Sequence, residues 1–178
     1  MKLLNGLQLF LLAAWVGAAL FFSAVVAPAA FSILRAFGLS NANEIAGTLV
    51  TRTLAVVNIS GVVVGLILIA MVLVLRRDYV RRSFLPALIS AIVLAGATSV
   101  GEWVIAARMR ALRTAMVLPI DQVAIDDSRR IAFNQLHGYS VAALSIAMIA
   151  ALVAFVSIVY GAQFKTREGT VRKDFTWR

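Results

Sequence analysis

The hydrophobic and polar positions divide the chain into four long apolar segments joined by short charged connections. The segments cover about residues 3–31, 54–75, 84–107 and 139–160. Each has roughly the 20 predominantly apolar residues that an α-helix needs to cross the hydrocarbon core of a bilayer. The pattern therefore predicts an all-α membrane protein, folded as a bundle of four transmembrane helices.

The composition agrees with a membrane protein. Of 178 residues, 62% are hydrophobic and 14% are charged, whereas soluble domains have about 45–50% and 25%. The absence of cysteine excludes disulfides, thiolate metal sites and cysteine nucleophiles. We expect one transmembrane domain over residues 1–162 and a basic cytoplasmic tail over 163–178. The net charge of +9 comes from arginines beside apolar segments, which favours anionic lipid headgroups over nucleic acid as the partner.

The distribution of charge between the connections predicts an orientation. Four spans place both termini on one side, with ten Lys and Arg residues there against seven on the other side. The positive-inside rule then predicts cytoplasmic termini. The first apolar segment is longer than the core of a signal peptide, so we expect a retained helix. A compact chain without an organelle-targeting leader suits the bacterial inner membrane.

Local signals predict where two of the helices begin. Asn41 and Glu44 have the spacing of a capping box, so the second helix is expected to begin near Ala42. Asp127 or Ser128 is the expected N-cap of the fourth helix.

Small residues and a proline predict how the helices pack. Pro28 is expected to kink or end the first helix. The segment "GVVVG", with Gly61 and Gly65 at its ends, predicts a close helix approach, within the bundle or between copies. Gly17 is a further expected packing position.

One acidic residue falls inside a predicted span. Glu102 lies about four-fifths of the way along the third segment. A charge at the centre of a membrane helix costs about 2.5–3.5 kcal/mol on insertion scales, so Glu102 requires a partner, a proton or water. We expect Arg52 or Arg130 to be its partner across a helix interface.

Further polar residues are expected at the same depth, on the side opposite the termini. In "RIAFNQLHGYS", Arg130, Asn134 and His137 share one helix face. Asn58 follows Arg52 by about two turns of the second helix. The sequence thus predicts a wet, charged binding cleft formed by Arg52, Asn58, Glu102, Arg130, Asn134 and His137. Such a cleft suits an anionic or quinone-like headgroup.

The side-chain inventory argues for binding rather than catalysis. One histidine cannot supply two axial haem ligands, so His137 is at most a ligand of a five-coordinate or shared haem. His137, Glu102 and one loop aspartate are sparse for zinc or copper, and we assign no metal. No nucleophile elbow, P-loop or dinucleotide fingerprint occurs. We therefore predict a non-enzymatic protein with no assigned cofactor, and leave haem or quinone binding open.

Three motifs carry a family resemblance. "WVGAALFFSAVVAPAAF", "AGTLVTR" and "RIAFNQLHGYS" resemble the transmembrane protein 205-like family, a four-helix membrane family of largely undefined function. The resemblance rests on Trp15, Gly17, Pro28, Phe31, Gly47, Arg130, Phe133, Leu136, His137 and Ser140. It implies a four-span bundle and hints at small-molecule or metal handling. A wider likeness to copper resistance protein D and to a protoporphyrinogen-oxidising membrane family hints at copper or haem, which a chain with one histidine and no cysteine is poorly equipped to bind.

Three functions are consistent with these observations. The first is an accessory subunit or small-ligand-binding module of a membrane complex of the respiratory or photosynthetic type. Other membrane subunits or a second copy of the chain would then be its partners. The second is a transporter or efflux helper for small ions or metal complexes, and the third is a haem- or quinone-binding redox protein.

Overall fold

The computed structural model describes the backbone of residues 2–76, 79 and 81–174, and the side chains of residues 3–76, 79 and 83–161. Regular structure within these ranges is entirely helical, which confirms the predicted fold class. Four helices are long and apolar enough to cross a membrane, and they are called the first to fourth spans: Leu3–Ala36, Ala42–Val74, Ser83–Ala115 and Ser128–Gly161.

Two of the four helices contain a π-helical segment. The first helix is α-helical over Lys2–Phe21, π-helical over Phe22–Val26 and α-helical over Ala27–Ala36. The third is α-helical over Arg81–Ser99, π-helical over Val100–Ala106 and α-helical over Ala107–Ala115. The second and fourth are α-helical over Ala42–Val74 and Ser128–Asp174. A helix of 33 residues is about 50 Å long, so its ends extend beyond a hydrocarbon core of about 30 Å.

The first helix continues past its proline. Pro28 lies in the first turn of the α-helical segment that follows the π turn, and the helix ends at Ala36 rather than near Phe31. A proline has no N–H and is tolerated in the first turn of an α-helix, where that donor has no intrahelical partner. The change from π to α hydrogen bonding provides such a position inside a continuous span.

The second helix begins at Ala42 as predicted, but by a different cap. Asn41 makes no side-chain capping bond. Instead, the backbone N–H of Glu44 donates to Oδ2 of Asp121, 3.2 Å away, from the connection after the third span. The predicted capping box is therefore wrong, because the Glu44 carboxylate is bound by Arg113 and a carboxylate distant in sequence satisfies the helix end.

The fourth helix begins as predicted at its N-terminus. The backbone N–H of Arg129 donates to Oδ1 of Asp127 at 2.8 Å, which confirms Asp127 as the N-cap. At the other end the helix continues through Asp174, past the expected boundary between residues 162 and 163. Residues 175–178 of the predicted tail lie outside the described residues.

Trp15 and Gly61 bring the first and second spans together. Trp15 is 4% exposed, and its Nε1 donates to the carbonyl oxygen of Val57 at 3.0 Å. A Cβ atom at Gly61 would lie 2.9 Å from the Trp15 ring and 2.6 Å from the methyl group of Thr98. Only glycine fits here, so Gly61 lies where three spans of the bundle meet.

Gly65 allows an equally close approach to the third span. A Cβ atom there would lie 2.9 Å from the backbone nitrogen of Ala95. A Cβ atom at Gly17, in contrast, would meet no heavy atom within 4 Å among the described residues. The GxxxG pair therefore packs inside the bundle, while Gly17 has no such contact.

The third and fourth spans pack through small residues. Alanines are buried on both helices, at Ala87, Ala91 and Ala95 of the third span and Ala147, Ala150, Ala151 and Ala154 of the fourth. Small side chains let helix backbones approach closely in lipid, where dispersion contacts replace the hydrophobic effect between helices. This packed interior leaves the end opposite the termini as the place where the helices separate.

Candidate functional site

A cavity of about 540 Å³ opens at the end of the bundle opposite the termini. We call it the arginine cavity. All four spans and the connection before the fourth span contribute to its wall. Five arginines line it, at Arg35, Arg52, Arg110, Arg113 and Arg130. Apolar side chains complete the wall, among them Phe31, Met109, Ile120 and Phe133.

The structure brings four of the six predicted cleft residues to this cavity. Arg52, Arg130, Asn134 and His137 line its wall. Glu102 and Asn58 do not; they are buried in the bundle, with 6% and 3% of their surfaces exposed.

Glu102 has a partner, but not one of those expected. Its Oε1 accepts a hydrogen bond from Nη1 of Arg110 at 3.0 Å, so the predicted pairing with Arg52 or Arg130 is wrong. In an α-helix of about 3.6 residues per turn, positions eight apart differ by about 80° around the axis. The π segment Val100–Ala106 has more residues per turn, which turns Arg110 back onto the Glu102 face.

The pair of Glu102 and Arg110 connects the buried interior to the cavity. The side chain of Glu102 is 8% exposed, whereas that of Arg110 is 50% exposed and lines the cavity. Two polar atoms at this depth have no hydrogen-bond partner among the described residues: Oε2 of Glu102 and Nδ2 of Asn58. Asn58 lies against Gly101, where an added Cβ atom would be 3.3 Å from Nδ2.

A second ion pair holds the connection after the third span over the cavity. Nε of Arg113 donates to Oε1 of Glu44 at 2.7 Å. Nη1 of Arg113 donates to the carbonyl oxygen of Leu118 at 2.9 Å, and the N–H of Ile120 donates to Oε2 of Glu44 at 3.3 Å. Sequence reasoning missed this pair because it used Glu44 only as a capping residue.

A series of polar contacts links the first span to the connection after the third span. Nε of Arg35 donates to Oδ1 of Asn43 at 2.8 Å, and Nδ2 of Asn43 donates to Oδ1 of Asp121 at 2.5 Å. The Arg35 guanidinium also lies 5.6 Å from the centre of the Phe31 ring, within the range of a cation–π contact. Nothing local in the sequence relates these residues, since the contacts depend on how the connection folds back.

The cavity carries more positive than negative charge. Arg110 and Arg113 have carboxylate partners. Arg130 donates to the carbonyl oxygen of Val123, and Arg35 donates to an amide oxygen. Arg52 has no hydrogen-bond or ion-pair partner in the part of the chain that the structure describes. Among the described residues, three lining arginines, Arg35, Arg52 and Arg130, therefore lack a carboxylate partner, and their summed field favours an anion.

The remaining polar lining supplies hydrogen-bonding groups rather than a metal cage. His137 and Asn134 are exposed on the fourth-span side of the cavity. Within the described ranges, no three His, Cys, Asp or Glu side chains cluster as a metal site. The arrangement can hold an anion by charge-assisted hydrogen bonds and an apolar group against the aromatic walls.

Comparison with known proteins places the chain in a family. A family model described as Domain of unknown function (DUF4149) matches residues 10–117. Because this range covers more than half of the chain, the chain belongs to that family. The match includes Glu102 and Arg110 but ends before the fourth span. No curated protein and no solved structure matches the chain, and the resemblance to the transmembrane protein 205-like family stays a prediction.

Proposed function

We propose that this member of the DUF4149 family is a non-enzymatic membrane protein that binds an amphipathic anion in the arginine cavity. The observation that carries the proposal is the group of three arginines that have no carboxylate partner in the described part of the chain, around an apolar-walled cavity of about 540 Å³. Like charges gathered near a membrane repel one another, and a bound anion would relieve that repulsion. The apolar walls would receive the hydrocarbon part of the same molecule.

The position of the side chains suggests how the ligand lies. The anionic head would sit between Arg52 of the second span and Arg130 of the fourth, because guanidinium groups donate to phosphate, sulfonate or carboxylate oxygens. The apolar body would lie against Phe31 and Phe133. Both an anionic lipid and a free amphiphile have this chemistry.

Binding of a defined probe tests the proposal. Octanesulfonate carries a permanent charge, and calorimetry can measure its binding to the protein in phosphatidylcholine nanodiscs. We expect saturable binding that weakens about 10- to 100-fold in Arg52→Gln and in Arg130→Gln, because a hydrogen bond to a charged group contributes about 1.5–3 kcal/mol.

Two controls sharpen this experiment. Arg108→Gln removes an exposed arginine of the third span that does not line the cavity, so its affinity should equal that of the wild type. Octyltrimethylammonium has a similar chain and the opposite charge, so it should not bind. Equal loss in Arg108→Gln, or binding of the cation, would contradict the proposal.

Native mass spectrometry distinguishes the two sources of the ligand. If the occupant is a lipid, protein purified from membranes that contain phosphatidylglycerol should retain one such lipid, and Arg52→Gln should lose it. If the occupant is a free amphiphile, no lipid adduct depends on Arg52, yet octanesulfonate still binds.

A role as an accessory subunit is a second candidate, favoured by the fourth helix. This helix continues from Gly161 to Asp174, about 20 Å beyond its span, and so offers a surface to another membrane subunit or a second copy. Native pull-down followed by an absorption spectrum tests this role and the haem or quinone alternative together. A colourless, quinone-free monomer would reject both, and vesicle flux assays would test the transport alternative.

For location, we propose a bacterial inner membrane with cytoplasmic termini, supported by the excess of Lys and Arg at the terminal side. The cavity would then open to the periplasm. Because the chain has no cysteine, single substitutions report accessibility cleanly. An impermeant maleimide should label Ala124→Cys in spheroplasts and leave Thr176→Cys unlabelled; the reverse pattern would invert the topology.

A further inference from the structure

We propose that Arg110 is shared between Glu102 and the bound anion, so that anion binding in the arginine cavity is coupled to uptake of one proton by Glu102. The inference rests on the proposed function and adds a regulation to it. It gives a role to the buried Glu102 and to the π segment, which anion binding alone does not explain.

The first step is the position of Arg110. Its Nη1 donates to Oε1 of Glu102 at 3.0 Å, while half of its side chain is exposed and lines the cavity. A guanidinium holds its five donors in one rigid planar fork and carries a single positive charge, so turning the fork toward an anion in the cavity turns it away from Glu102. An anion entering the cavity therefore competes with Glu102 for the same group.

The second step is the position of Glu102. Arg110 is its only hydrogen-bond partner among the described residues, and its Oε2 is buried without one. An interior carboxylate that loses its partner is left as an uncompensated charge, which is strongly unfavourable. A proton on Oε2 removes that charge, so the release of Arg110 and the protonation of Glu102 occur together.

The third step concerns the charged groups on the neighbouring elements. They are Arg35 on the first span, Arg52 and Glu44 on the second, Asp121 in the connection before the fourth, and Arg130 and His137 on the fourth. In the described part of the chain, none of them forms an ion pair with Glu102, and Glu44 is bound by Arg113. Arg110 is thus the group through which the cavity acts on Glu102.

Anion binding together with proton uptake by Glu102 is balanced in charge. One anion enters, one proton passes from water at the cavity end to Glu102, and Arg110 keeps its positive charge throughout. The net charge of the bundle does not change, which avoids adding an unpaired charge within the bilayer. By linkage, a proton on Glu102 strengthens anion binding as much as the anion strengthens proton binding.

The test measures octanesulfonate affinity as a function of pH in phosphatidylcholine nanodiscs. The sulfonate stays ionised at every pH used, so any pH dependence comes from the protein. In the wild type we expect the dissociation constant to rise with pH by up to about tenfold per pH unit, because each anion bound then requires one proton from solution. In Glu102→Gln the affinity should be independent of pH and at least as high as that of the wild type at low pH.

His137 needs its own control, because its imidazole also lines the cavity. We expect His137→Gln to retain the pH dependence. Loss of the dependence in His137→Gln, with its retention in Glu102→Gln, would overturn the proposal. Calorimetry of the wild type in buffers of different ionisation enthalpy counts the protons directly and needs no variant; a count near zero at every pH would also overturn it.

The failures of the two proposals are distinguishable. If octanesulfonate fails to bind at any pH, the proposed function itself is wrong. If it binds and the arginine variants weaken it, but the wild-type affinity does not change with pH, only the coupling through Glu102 is wrong.

Discussion

The half of the bundle nearer the termini and the half that contains the arginine cavity place polar side chains in different environments. In the half nearer the termini, the buried polar groups are neutral and enclosed. Gln8 is fully buried, with its Oε1 accepting from the Tyr79 hydroxyl at 3.1 Å, and Trp15 donates to a helix carbonyl. In the cavity half, arginines and carboxylates face an open space, and Arg52 has no partner among the described residues.

The difference indicates that the terminal half stabilises the fold and that the cavity half provides the groups for ligand binding. A neutral hydrogen bond can be buried in the bilayer at modest cost, whereas an unpaired charge cannot. The terminal half therefore supports close packing at Gly61 and Gly65. We therefore expect the charges of the cavity half to contribute less to folding, as is typical of sites shaped for binding.

The largest effect is expected from a small change in the terminal half. Gly65→Ala places a Cβ atom 2.9 Å from the backbone nitrogen of Ala95, so the second and third spans must move apart. We expect a loss of about 1–3 kcal/mol in the free energy of unfolding, as for other overpacked interiors, measured by circular dichroism during unfolding in mixed micelles.

A matched glycine provides the control for that change. Gly96→Ala lies next to Ala95 in the third span, but its added Cβ atom meets no heavy atom of the described residues within 4 Å. Since alanine favours the helix by up to about 1 kcal/mol over glycine, this variant should be neutral or more stable. Equal destabilisation by both substitutions would contradict the comparison.

A smaller effect is expected from the cap in the cavity half. Asp121→Ala removes the acceptor for the N–H of Glu44 and for the side chain of Asn43. We expect a loss of about 0.5–2 kcal/mol in unfolding free energy, the usual range for a lost cap. Asp126→Ala, an exposed aspartate in the same connection, should change little. A loss above that at Gly65 would show that the cavity half also carries the stability of the fold.

Some features of the fold and of the cavity could be predicted from the sequence, and others could not. The presence of four spans, the N-cap at Asp127 and the helix start near Ala42 were predicted correctly from local patterns, although the start at Ala42 is capped by Asp121 and not by Asn41. Arg52, Arg130, Asn134 and His137 share the cavity because depth and helix face can be counted along regular helices.

The remaining contacts depend on geometry that a local pattern does not contain. The pairing of Glu102 with Arg110 requires the π segment, since counting at a constant angle per residue puts Arg110 on another face. The pairing of Glu44 with Arg113, and the cap from Asp121, require the path of a connection far away in the sequence. Such contacts become visible only in three dimensions.

A pH-dependent effect is expected at the terminal half. Tyr79 lies in the connection between the second and third spans, and burial raises the pKa of its phenol above 10.0. A raised pKa stabilises the folded state below pH 10.0, and this stabilisation is lost as the pH rises through the folded value. Unfolding free energy should therefore fall above pH 10.0.

Tyr79→Phe is the control for this titration. It keeps the ring and removes the ionisable group, so the decrease in stability should become shallower, with the difference matched by the ultraviolet absorption of the phenolate in the wild type. An identical decrease in both proteins would assign it to other groups.

The smallest effect is expected at the edge of the cavity half, at the N-cap of the fourth helix. The hydrogen bond from the Arg129 side chain, helped by the Arg129 backbone N–H, lowers the pKa of Asp127 from 3.8 to about 2. A lowered pKa contributes stability above 3.8 that is lost as the pH falls towards about 2. Because Asp127 is at the surface, solvent screens its pair with Arg129, and the unfolding free energy should change only gradually with pH.

Asp127→Asn keeps a capping oxygen and removes the charge, so its unfolding free energy should not vary with this titration. A steep acid transition that disappears in Asp127→Asn would mean that this surface pair stabilises the cavity half strongly. The proposed contrast, in which the terminal half provides stability and the cavity half provides binding, would then be wrong.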